Sequence, residues 1–561
     1  MKKIILYFLF LSFFSLHSCK ENKKGNPEIT VEELKSHILF LASDEMKGRG
    51  TGTLEGKKSA SYIRDKFKSL NLKLLYENGF QHFDVTNSLK LISGKNSLNF
   101  EKNNGILEKD FYPISFSKNG TLKSEVVFCG YGLDVNEDSV VWNDYENIDV
   151  KGKIAMILRG EPEVKEYSDI LFNFSSERSK ALTAKDKGAK GVIFVSGEKF
   201  EKKDKLKEFY FDKSSSDADI LVVQITRNLA NKILKKKSVG DLEKFCSENK
   251  KSKNFATSSN VDISVGMEQN IVKTQNVVAL LEGADENLKN EFIVIGGHYD
   301  HLGMGGEGSG SRKPDTIAVH NGADDNASGI ASILEIAEKF ANQKDKPKRS
   351  IIFIAFGAEE IGLIGSKFFV KNPPVDLKKI NAMINLDMIG CLDTMTKDLT
   401  VGGIGTAKEW DILLKKYSKD NYFNLQKMES GYGPSDHASF FLEDISVLYF
   451  FTGVHDKYHT PADDIEIINF DGLKHVANFA FEISNDILRN DKKINFIATE
   501  IVKSEKRRHN LKVKLSIVPD FSGIEKKGMR VDAVVKGGIA EKYGLLKGDI
   551  IISMENKKIK D

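Results

Sequence analysis

Residues 291–300, EFIVIGGHYD, form an apolar run of strand type that ends in a histidine and an aspartate. Four further apolar runs lie between residues 276 and 485 and alternate with helical patterns. They are NVVALL (276–281), RSIIFIAF (349–356), INAMINLDM (380–388) and ISVLYFF (445–451). Near-continuous apolar strands that alternate with helices indicate a sheet buried on both faces. The sequence therefore predicts an α/β domain whose mixed, largely parallel sheet is flanked by helices.

Metal-ligand and acid–base side chains follow the ends of these strands. They are His298 and Asp300, Asp324 and Asp325, Glu359 and Glu360, Asp387, and His455 with Tyr458 and His459. Each has an ordinary alternative, such as a helix N-cap for an aspartate or a solvated first helical turn for a glutamate. Molecules and ions that bind to proteins with such sheets lie beyond the carboxyl ends of the strands. Five strand-end positions that all carry such residues favour one shared site over five separate coincidences.

Histidine and carboxylate ligands without cysteine suit Zn²⁺, or less selectively Mn²⁺ or Co²⁺. Five ligands exceed the needs of one tetrahedral zinc, but they fit two metals about 3.5–4 Å apart that share a carboxylate. A further acid outside the ligand set is then free to act as a general base. Residues 435–437, Ser-Asp-His, contain the residue types of a catalytic triad, but consecutive side chains cannot converge on one another as a triad requires.

Six motifs occur in the order and spacing of the co-catalytic zinc aminopeptidases, the family-28 metallopeptidases. They are GGHYDHLG (296–303), NGADDNASG (321–329), FGAEEIGLIGS (356–366), NLDMIG (385–390), SDHASF (435–440) and YHTPAD (458–463). The segment LASDEMKGRGTGTLEGKKSASYI (41–63) also resembles the N-terminal region of that family. The resemblance covers residues 28–115 and 267–490. It implies an enzyme that uses two Zn²⁺ per chain to hydrolyse the N-terminal peptide bond of peptides.

The resemblance also implies which residues bind the metals. The implied ligands are His298, Asp325, Glu360, Asp387 and His459. His298 and Asp387 would hold one zinc ion, Glu360 and His459 would hold the other, and Asp325 would bridge the two.

Three further residues receive roles by the same resemblance. Asp300 is expected to orient a histidine ligand without contacting the metal. Glu359 is expected to be the general base that activates the water, and Tyr458 to donate a hydrogen bond to the oxyanion. Asp324 is expected only to shape the turn that carries its neighbour.

Two other segments resemble known domains. Residues 116–266 combine short strands with a lysine-rich connection and resemble a protease-associated domain inserted into the peptidase. Residues 505–561 resemble a PDZ domain that lacks its second helix and last strand.

The N-terminus, MKKIILYFLFLSFFSLHSC, has two lysines before an apolar run too short to span a bilayer. This pattern is typical of a signal peptide, predicted at residues 1–18. Leu16-His17-Ser18-Cys19 resembles a lipobox, so residues 19–27 are interpreted as a polar tether. We expect an exported cell-envelope lipoprotein, periplasmic at the outer membrane or on the cell surface, anchored to the membrane through Cys19.

Composition excludes several other classes of protein. The 561 residues are 40% hydrophobic and 29% charged, with 83 basic against 80 acidic side chains and a net charge of +3. No basic run with interleaved aromatic residues suggests a nucleic-acid partner, and none is expected. Cys129, Cys246 and Cys391, an odd and widely spaced set, do not form a disulfide framework.

Three alternatives to an aminopeptidase stay open from the sequence. A carboxypeptidase or dipeptidase of the same fold would use the same metals but recognise another end of the substrate. A receptor-like protein on a peptidase fold would be non-catalytic, although the complete ligand set disfavours it. Glutaminyl cyclisation would need only one zinc. The sequence leaves the oligomeric state open.

Overall fold

The computed structural model of the protein describes residues 26–499 apart from 138–139, 165, 173, 208, 210, 212–216 and 419–421. It also describes short segments at 517–519, 529–534, 539–546, 549–554 and 557–558. The predicted signal peptide and most of the predicted tether, including Cys19, lie outside these residues. None of the helices in the described part of the chain combines the length and apolarity needed to cross a membrane.

The secondary structure alternates between strands and helices through most of the chain. The strands up to residue 499 are β1 Lys73–Leu74, β2 Phe80–Leu91, β3 Ser97–Phe100, β4 Asn103–Gly105, β5 Phe111–Pro113, β6 Gly120–Cys129, β7 Asp134–Glu137, β8 Val140–Asn143, β9 Ile154–Leu158, β10 Gly191–Val195, β11 Leu221–Ile225, β12 Asn254–Val265, β13 Met267–Leu281, β14 Phe292–His298, β15 Ser350–Phe356, β16 Ile380–Leu386, β17 Asp398–Gly402, β18 Asn424–Met428 and β19 Ser446–Phe451. The helices are α1 Val31–Leu41, α2 Leu54–Ser69, α3 Ser168–Phe172, α4 Glu177–Asp186, α5 Arg227–Leu234, α6 Val239–Asn249, α7 Gly329–Asn342, α8 Ile364–Lys371, α9 Glu409–Tyr417, α10 His437–Phe441 and α11 Phe470–Arg489.

The larger sheet has the order β1-β13-β15-β14-β16-β19-β17-β18, and β2 also pairs with β13. Its centre, β15-β14-β16-β19, is parallel, whereas β13 and β17 are antiparallel to their neighbours β15 and β19. This arrangement confirms the predicted α/β fold with a mixed, largely parallel sheet.

Both faces of this sheet are buried, which explains why its strands are apolar almost without interruption. In β15, Ile351 and Phe353 pack into the cluster that contains residues of α1, α2, α7 and α11. Ile352 and Ile354 point to the other face and pack with Phe369 of α8 and residues of α10. Successive side chains of a strand point to opposite faces, so a strand between two helical layers needs apolar residues at every position.

The first helix begins with a side-chain cap. Thr30 is the N-cap of α1: the Glu33 backbone N–H donates to Thr30 Oγ1 at 3.2 Å, and Thr30 Oγ1 donates to Glu33 Oε2 at 2.6 Å. A hydroxyl and a carboxylate at this spacing satisfy N–H groups that have no partner within the helix.

The smaller sheet belongs to the inserted domain and has the order β4-β3-β12-β6-β9-β10-β11-β5, with β6, β9, β10 and β11 parallel. The boundary predicted at residues 115/116 lies too late in the chain, because β3, β4 and β5 already pair within this sheet. These strands are short, and β3 and β5 pair with partners more than 100 residues away. No local pattern in the sequence marks them as part of the insertion.

A two-stranded ribbon joins the two sheets. Strands β2 and β13 pair in antiparallel register from Met267↔Leu91 at the inserted domain to Val277↔Phe80 at the larger sheet. The chain therefore leaves for the inserted domain and returns from it at the same point.

The predicted PDZ-like segment at 505–561 falls largely outside the described residues. Its described parts are a small antiparallel sheet of β20 Ile517–Pro519, β21 Met529–Val534 and β22 Ile550–Ile551, helix α12 Ile539–Lys542, and the strand pair β23 Ser553–Met554 and β24 Lys557–Lys558. The PDZ-like assignment stays a prediction.

Candidate metal centre

The sheet order brings the predicted ligands to one edge. His298 is the last residue of β14, Glu359 and Glu360 follow β15, and Asp387 follows β16. Strands β15, β14 and β16 are parallel neighbours, so their carboxyl ends lie side by side. His459 follows the next strand, β19.

One cluster of potential ligands consists of His298, Asp325 and Asp387. Nε2 of His298 lies 3.2 Å from Asp325 Oδ1 and 3.2 Å from Asp387 Oδ1. All three side chains are at most 10% exposed. These are three of the residues predicted from the sequence, and the structure brings them together.

A second cluster lies on the other side of Asp325. Its Oδ2 lies 3.1 Å from Nε2 of His459, which in turn is 3.4 Å from Glu360 Oε2. The two oxygens of Asp325 therefore face two different sets of ligands. Burial opposes ionisation of Asp325, but His301 and His298 beside it hold its pKa well below the usual range.

His301 is a close neighbour to which sequence reasoning gave no role. Its Nδ1 lies 2.7 Å from Glu360 Oε1 and 3.7 Å from Asp325 Oδ2, so it groups with these two carboxylates. A separation of 2.7 Å is that of a charge-assisted hydrogen bond, whereas two atoms that ligate one ion lie farther apart. The distances therefore favour His459 as the ligand and His301 as the group that orients Glu360.

The turn that carries Asp325 is held by Asp463, another residue that sequence reasoning left without a role. Asp463 is fully buried; its Oδ1 accepts from the Asp324 N–H at 2.8 Å and its Oδ2 from the Asp325 N–H at 3.1 Å. The peptide bond between Asp325 and Asn326 is cis. Asp463 lies in the predicted motif YHTPAD, so its presence was visible in the sequence but its contact was not.

Asp324 turns away from the ligand clusters, as expected. Its Oδ1 accepts from the Gly390 N–H at 2.6 Å and from Ser328 Oγ at 3.1 Å. Its Oδ2 lies 3.3 Å from His455 Nε2, and Cys391 is close enough for the three to resemble a further metal site. However, the Lys457 N–H donates to His455 Nδ1, so in the neutral ring Nε2 carries the proton. The group is therefore better described as an Asp324–His455 contact between two loops.

Asp300 contacts His298 through its main chain. Nδ1 of His298 lies 3.0 Å from the backbone oxygen of Asp300, so the main chain, not the carboxylate, orients the ring. The carboxylate instead accepts from the Glu359 N–H at 3.0 Å and from Thr51 Oγ1 at 2.8 Å. Asp300 thus positions both the histidine and the loop that carries the two glutamates.

Glu359 lies beside the clusters without joining either. Its Oε2 is 4.0 Å from His298 Nε2, and its side chain is 11% exposed. Burial raises the pKa of Glu359 well above its usual range; His298 opposes this, and Glu360 adds to it. A buried carboxyl group whose pKa is raised in this way is of the kind that serves as a general acid or base.

Tyr458 stacks on the ring of His459, with centroids 3.8 Å apart and an interplanar angle of 26°. Burial raises the pKa of its phenol, and the carboxylates of Asp325 and Glu360 raise it further. The hydroxyl therefore keeps its proton and is available as a hydrogen-bond donor.

Three residues at this edge have backbone angles that side chains disfavour. Ala358, Met388 and His459 have φ values of 63°, 50° and 55°. Each is a predicted ligand or is next in sequence to a predicted ligand or to the predicted base. Non-glycine residues in the left-handed region cost about 1–2 kcal/mol each and are concentrated at functional sites.

Arg49 fixes the loops that carry His298 and Asp325, and no role was predicted for it. Its side chain is fully buried and donates to backbone oxygens of both loops and of α1: to Leu41 at 2.7 Å, Tyr299 at 2.8 Å, Asn321 at 2.6 Å and Gly322 at 2.9 Å. Burial lowers its pKa to about 10, while Asp463, Asp325, Asp300 and Glu360 oppose that shift. The guanidinium therefore stays charged among these acids.

Replacement of Arg49 by methionine is expected to lower the free energy of unfolding by at least about 3–5 kcal/mol, because buried carbonyls lose their donors and the acids lose their cation. Chemical denaturation of the purified protein measures this. The same change at Arg64, which pairs with the exposed Asp65 beside it on α2, is expected to cost about 1 kcal/mol or less. Equal effects of the two substitutions would contradict the role given to Arg49.

The fold and these clusters together define a zinc exopeptidase-like α/β protein with two clusters of potential metal ligands at the carboxyl edge of its sheet. Residues 276–484 match Peptidase family M28, and residues 122–233 match the PA domain. This confirms the predicted family and the inserted protease-associated domain.

Named relatives agree with this assignment. The chain is 27% identical over 356 residues to Aminopeptidase YwaD of Bacillus subtilis (strain 168), covering 62% of this chain and 64% of that one. It is 26% identical over 408 residues to an aminopeptidase of Pseudomonas aeruginosa (strain UCBPP-PA14), covering 68% of this chain and 65% of the relative. The chain thus spans slightly less than two-thirds of the length of either protein.

Among solved structures, the fold is similar to that of the aminopeptidase from Aneurinibacillus sp. strain AM-1. The TM-score is 0.53 at 24% identity, and the match covers 84% of this chain and 96% of the other. BSAP, a zinc aminopeptidase from Bacillus subtilis, gives a TM-score of 0.52 at 22% identity and covers 84% of this chain and 99% of its own.

Proposed function

We propose that this chain is a two-zinc aminopeptidase that removes the N-terminal residue from peptides. The observation that carries the proposal is the position of Asp325, whose two oxygens face separate clusters of ligands. The aminopeptidases and zinc metalloproteases among the relatives support both the reaction and the metal.

The side chains fit zinc in kind and in spacing. Two ligand atoms that each lie about 2.1 Å from a tetrahedral zinc ion are about 3.4 Å apart. The distances from His298 Nε2 to its two carboxylates, and from His459 Nε2 to Asp325 and Glu360, lie between 3.1 and 3.4 Å. His298, Asp325 and Asp387 would hold one ion; Asp325, Glu360 and His459 would hold the other.

Zinc in this site supplies a Lewis acid that lowers the pKa of water and polarises a carbonyl group. Glu359 takes the proton of the attacking water, because this carboxylate lies beside the two clusters but belongs to neither of them. It then delivers this proton to the amine of the departing peptide. Tyr458 donates its hydroxyl proton in a hydrogen bond to the oxygen on which negative charge develops. Asp300 and Arg49 hold the loops in place while this happens.

The surroundings favour an aminopeptidase over a carboxypeptidase of the same fold. A carboxypeptidase needs a cation for the terminal carboxylate of its substrate, and a cavity of about 400 Å³ adjoins His301 and Glu360. No lysine or arginine is among the described residues that line this cavity. The buried Arg49 is occupied by backbone oxygens.

Removal of metal tests the proposal. Treatment with a chelator is expected to abolish hydrolysis of aminoacyl anilides, and addition of zinc is expected to restore it with two ions per chain. The matched substrate is an N-acetylated peptide of the same sequence, which an aminopeptidase should leave intact. Activity that survives complete metal removal, or equal cleavage of the blocked peptide, would refute the proposal. A single ion per chain at full activity would revive the one-zinc alternative.

We also propose that the chain is exported and anchored to the cell envelope through a lipid on Cys19. The lipobox-like residues 16–19 and the apolar run before them support this location. Metabolic labelling with a fatty acid, in the native chain and in Cys19→Ser, tests it; label retained by the variant would contradict it.

A further inference from the structure

A row of three cavities leads from the metal centre to the inserted domain; we call it the trough. The first cavity, of about 400 Å³, is lined by His301 and Glu360 of the metal centre and by Phe209 and Phe211 of the inserted domain. Its wall also includes Glu307, in the loop that follows β14. The trough therefore begins at the metal ligands.

The second cavity, of about 380 Å³, lies between the two domains. On the side of the metal domain it is lined by Glu307 and Ile317, and on the side of the inserted domain by Arg159, Phe200 and Lys207. Glu307 also lines the first cavity, so the two cavities adjoin.

The third cavity, of about 570 Å³, continues into the inserted domain. It shares Arg159, Phe200 and Lys207 with the second. Each of the three has the size of a small-molecule site. A row of them provides room for several amino acid residues in extended form, which advance about 3.3 Å per residue.

The middle of the trough exposes two large apolar side chains. Phe200 is 46% exposed and Ile317 is 80% exposed, and they line the same cavity from opposite domains. Single exposed apolar residues are ordinary, but two that line one cavity from opposite domains offer apolar surface to a ligand. Three basic and three acidic side chains line this cavity, so its charge favours neither sign of ligand.

An enzyme that cleaves at the N-terminus holds one residue of its substrate before the scissile bond, and the rest of the peptide must lie beyond it. We infer that the trough binds this remaining part of the peptide, so that peptides of several residues are preferred over dipeptides and over single aminoacyl compounds. The inference rests on the proposed function and assigns Phe200 and Ile317 to substrate selection. It gives the inserted domain a direct part in the reaction.

The test compares peptides of two to six residues that share one N-terminal residue. In the native chain, kcat/KM is expected to rise at least tenfold from the dipeptide to the hexapeptide. Combined replacement Phe200→Ala and Ile317→Ala should remove most of this rise and leave hydrolysis of the aminoacyl anilide unchanged. The exposed Ile412 of α9 provides the matched control, Ile412→Ala, which should keep the rise. A flat dependence on length in the native chain, or a rise that survives in the double variant, would overturn the inference.

A binding measurement separates this inference from the proposed reaction. In the zinc-loaded Glu359→Gln variant, a fluorescent hexapeptide should bind at least tenfold more tightly than the dipeptide, and the two alanine replacements should abolish the difference. This readout does not depend on turnover. If the anilide is not hydrolysed by the native chain but the difference in binding is seen, the proposed function fails and the trough stands. Equal binding of both peptides overturns the trough whatever the activity.

Discussion

Replacement of Glu359 by glutamine is expected to lower kcat by about 10²- to 10⁴-fold while both metal ions stay bound. Glutamine keeps the shape of the side chain but cannot take up a proton. The metals should remain, because Glu359 belongs to neither ligand cluster and approaches His298 Nε2 no closer than 4.0 Å. Steady-state kinetics with metal analysis of the same preparation measures both parts of the expectation.

Glu335 offers a matched control for this substitution. It is also a buried glutamate, and burial raises its pKa to about 8, but it lies on α7 and pairs with His37 at 3.1 Å. Glu335→Gln should leave kcat within about twofold of the native value, since it touches no ligand. If Glu359→Gln keeps its activity, or loses metal together with activity, the role of general base is wrong.

Replacement of Asp325 by asparagine is expected to remove metal from both clusters and to lower kcat/KM by more than about a hundredfold. An amide cannot present two charged oxygens to two cations, and Asp325 is the residue that the clusters share. Metal content per chain after dialysis and the rate of anilide hydrolysis are the two measurements.

The neighbouring aspartate is the control. Asp324→Asn retains an oxygen that can accept from the Gly390 N–H, so its effect should be about tenfold or less in activity with metal content preserved. Loss of metal to the same extent in both variants would contradict the bridging role given to Asp325.

The central fold was predictable because its signals are local. Strands buried on both faces need apolar residues at every position, and this produced the five runs that became β13–β16 and β19. The inserted domain was predictable because the sequence changes there to short strands with a lysine-rich connection. The residue at which the insertion begins was not predictable. Short strands such as β3 and β5 are defined by partners distant in the sequence. The spacing of apolar residues along the chain does not reveal such a pairing.

The ligands were predictable for a related reason. His298, Glu360 and Asp387 stand at strand ends or within a few residues of them, and parallel strands in one sheet carry their ends to one edge. What could not be predicted was the set of residues that hold the ligands in place. Arg49 and Asp463 make hydrogen bonds to backbone groups. Because almost every residue type has these groups, the sequence does not show which residues are the partners. Asp300 shows the same limit, since its main chain rather than its carboxylate contacts His298.

The ribbon of β2 and β13 allows the inserted domain to change during evolution independently of the domain that carries the predicted ligands. Because Leu91 and Met267 are direct partners, the insertion enters and leaves at one point, as domain insertions that are tolerated commonly do. Every ligand described above comes from the domain on the other side of that point. The insertion can therefore be exchanged, lengthened or reshaped without moving a predicted ligand. Under the proposed function, the range of peptides accepted can then diversify while the residues assigned to the chemistry stay unchanged.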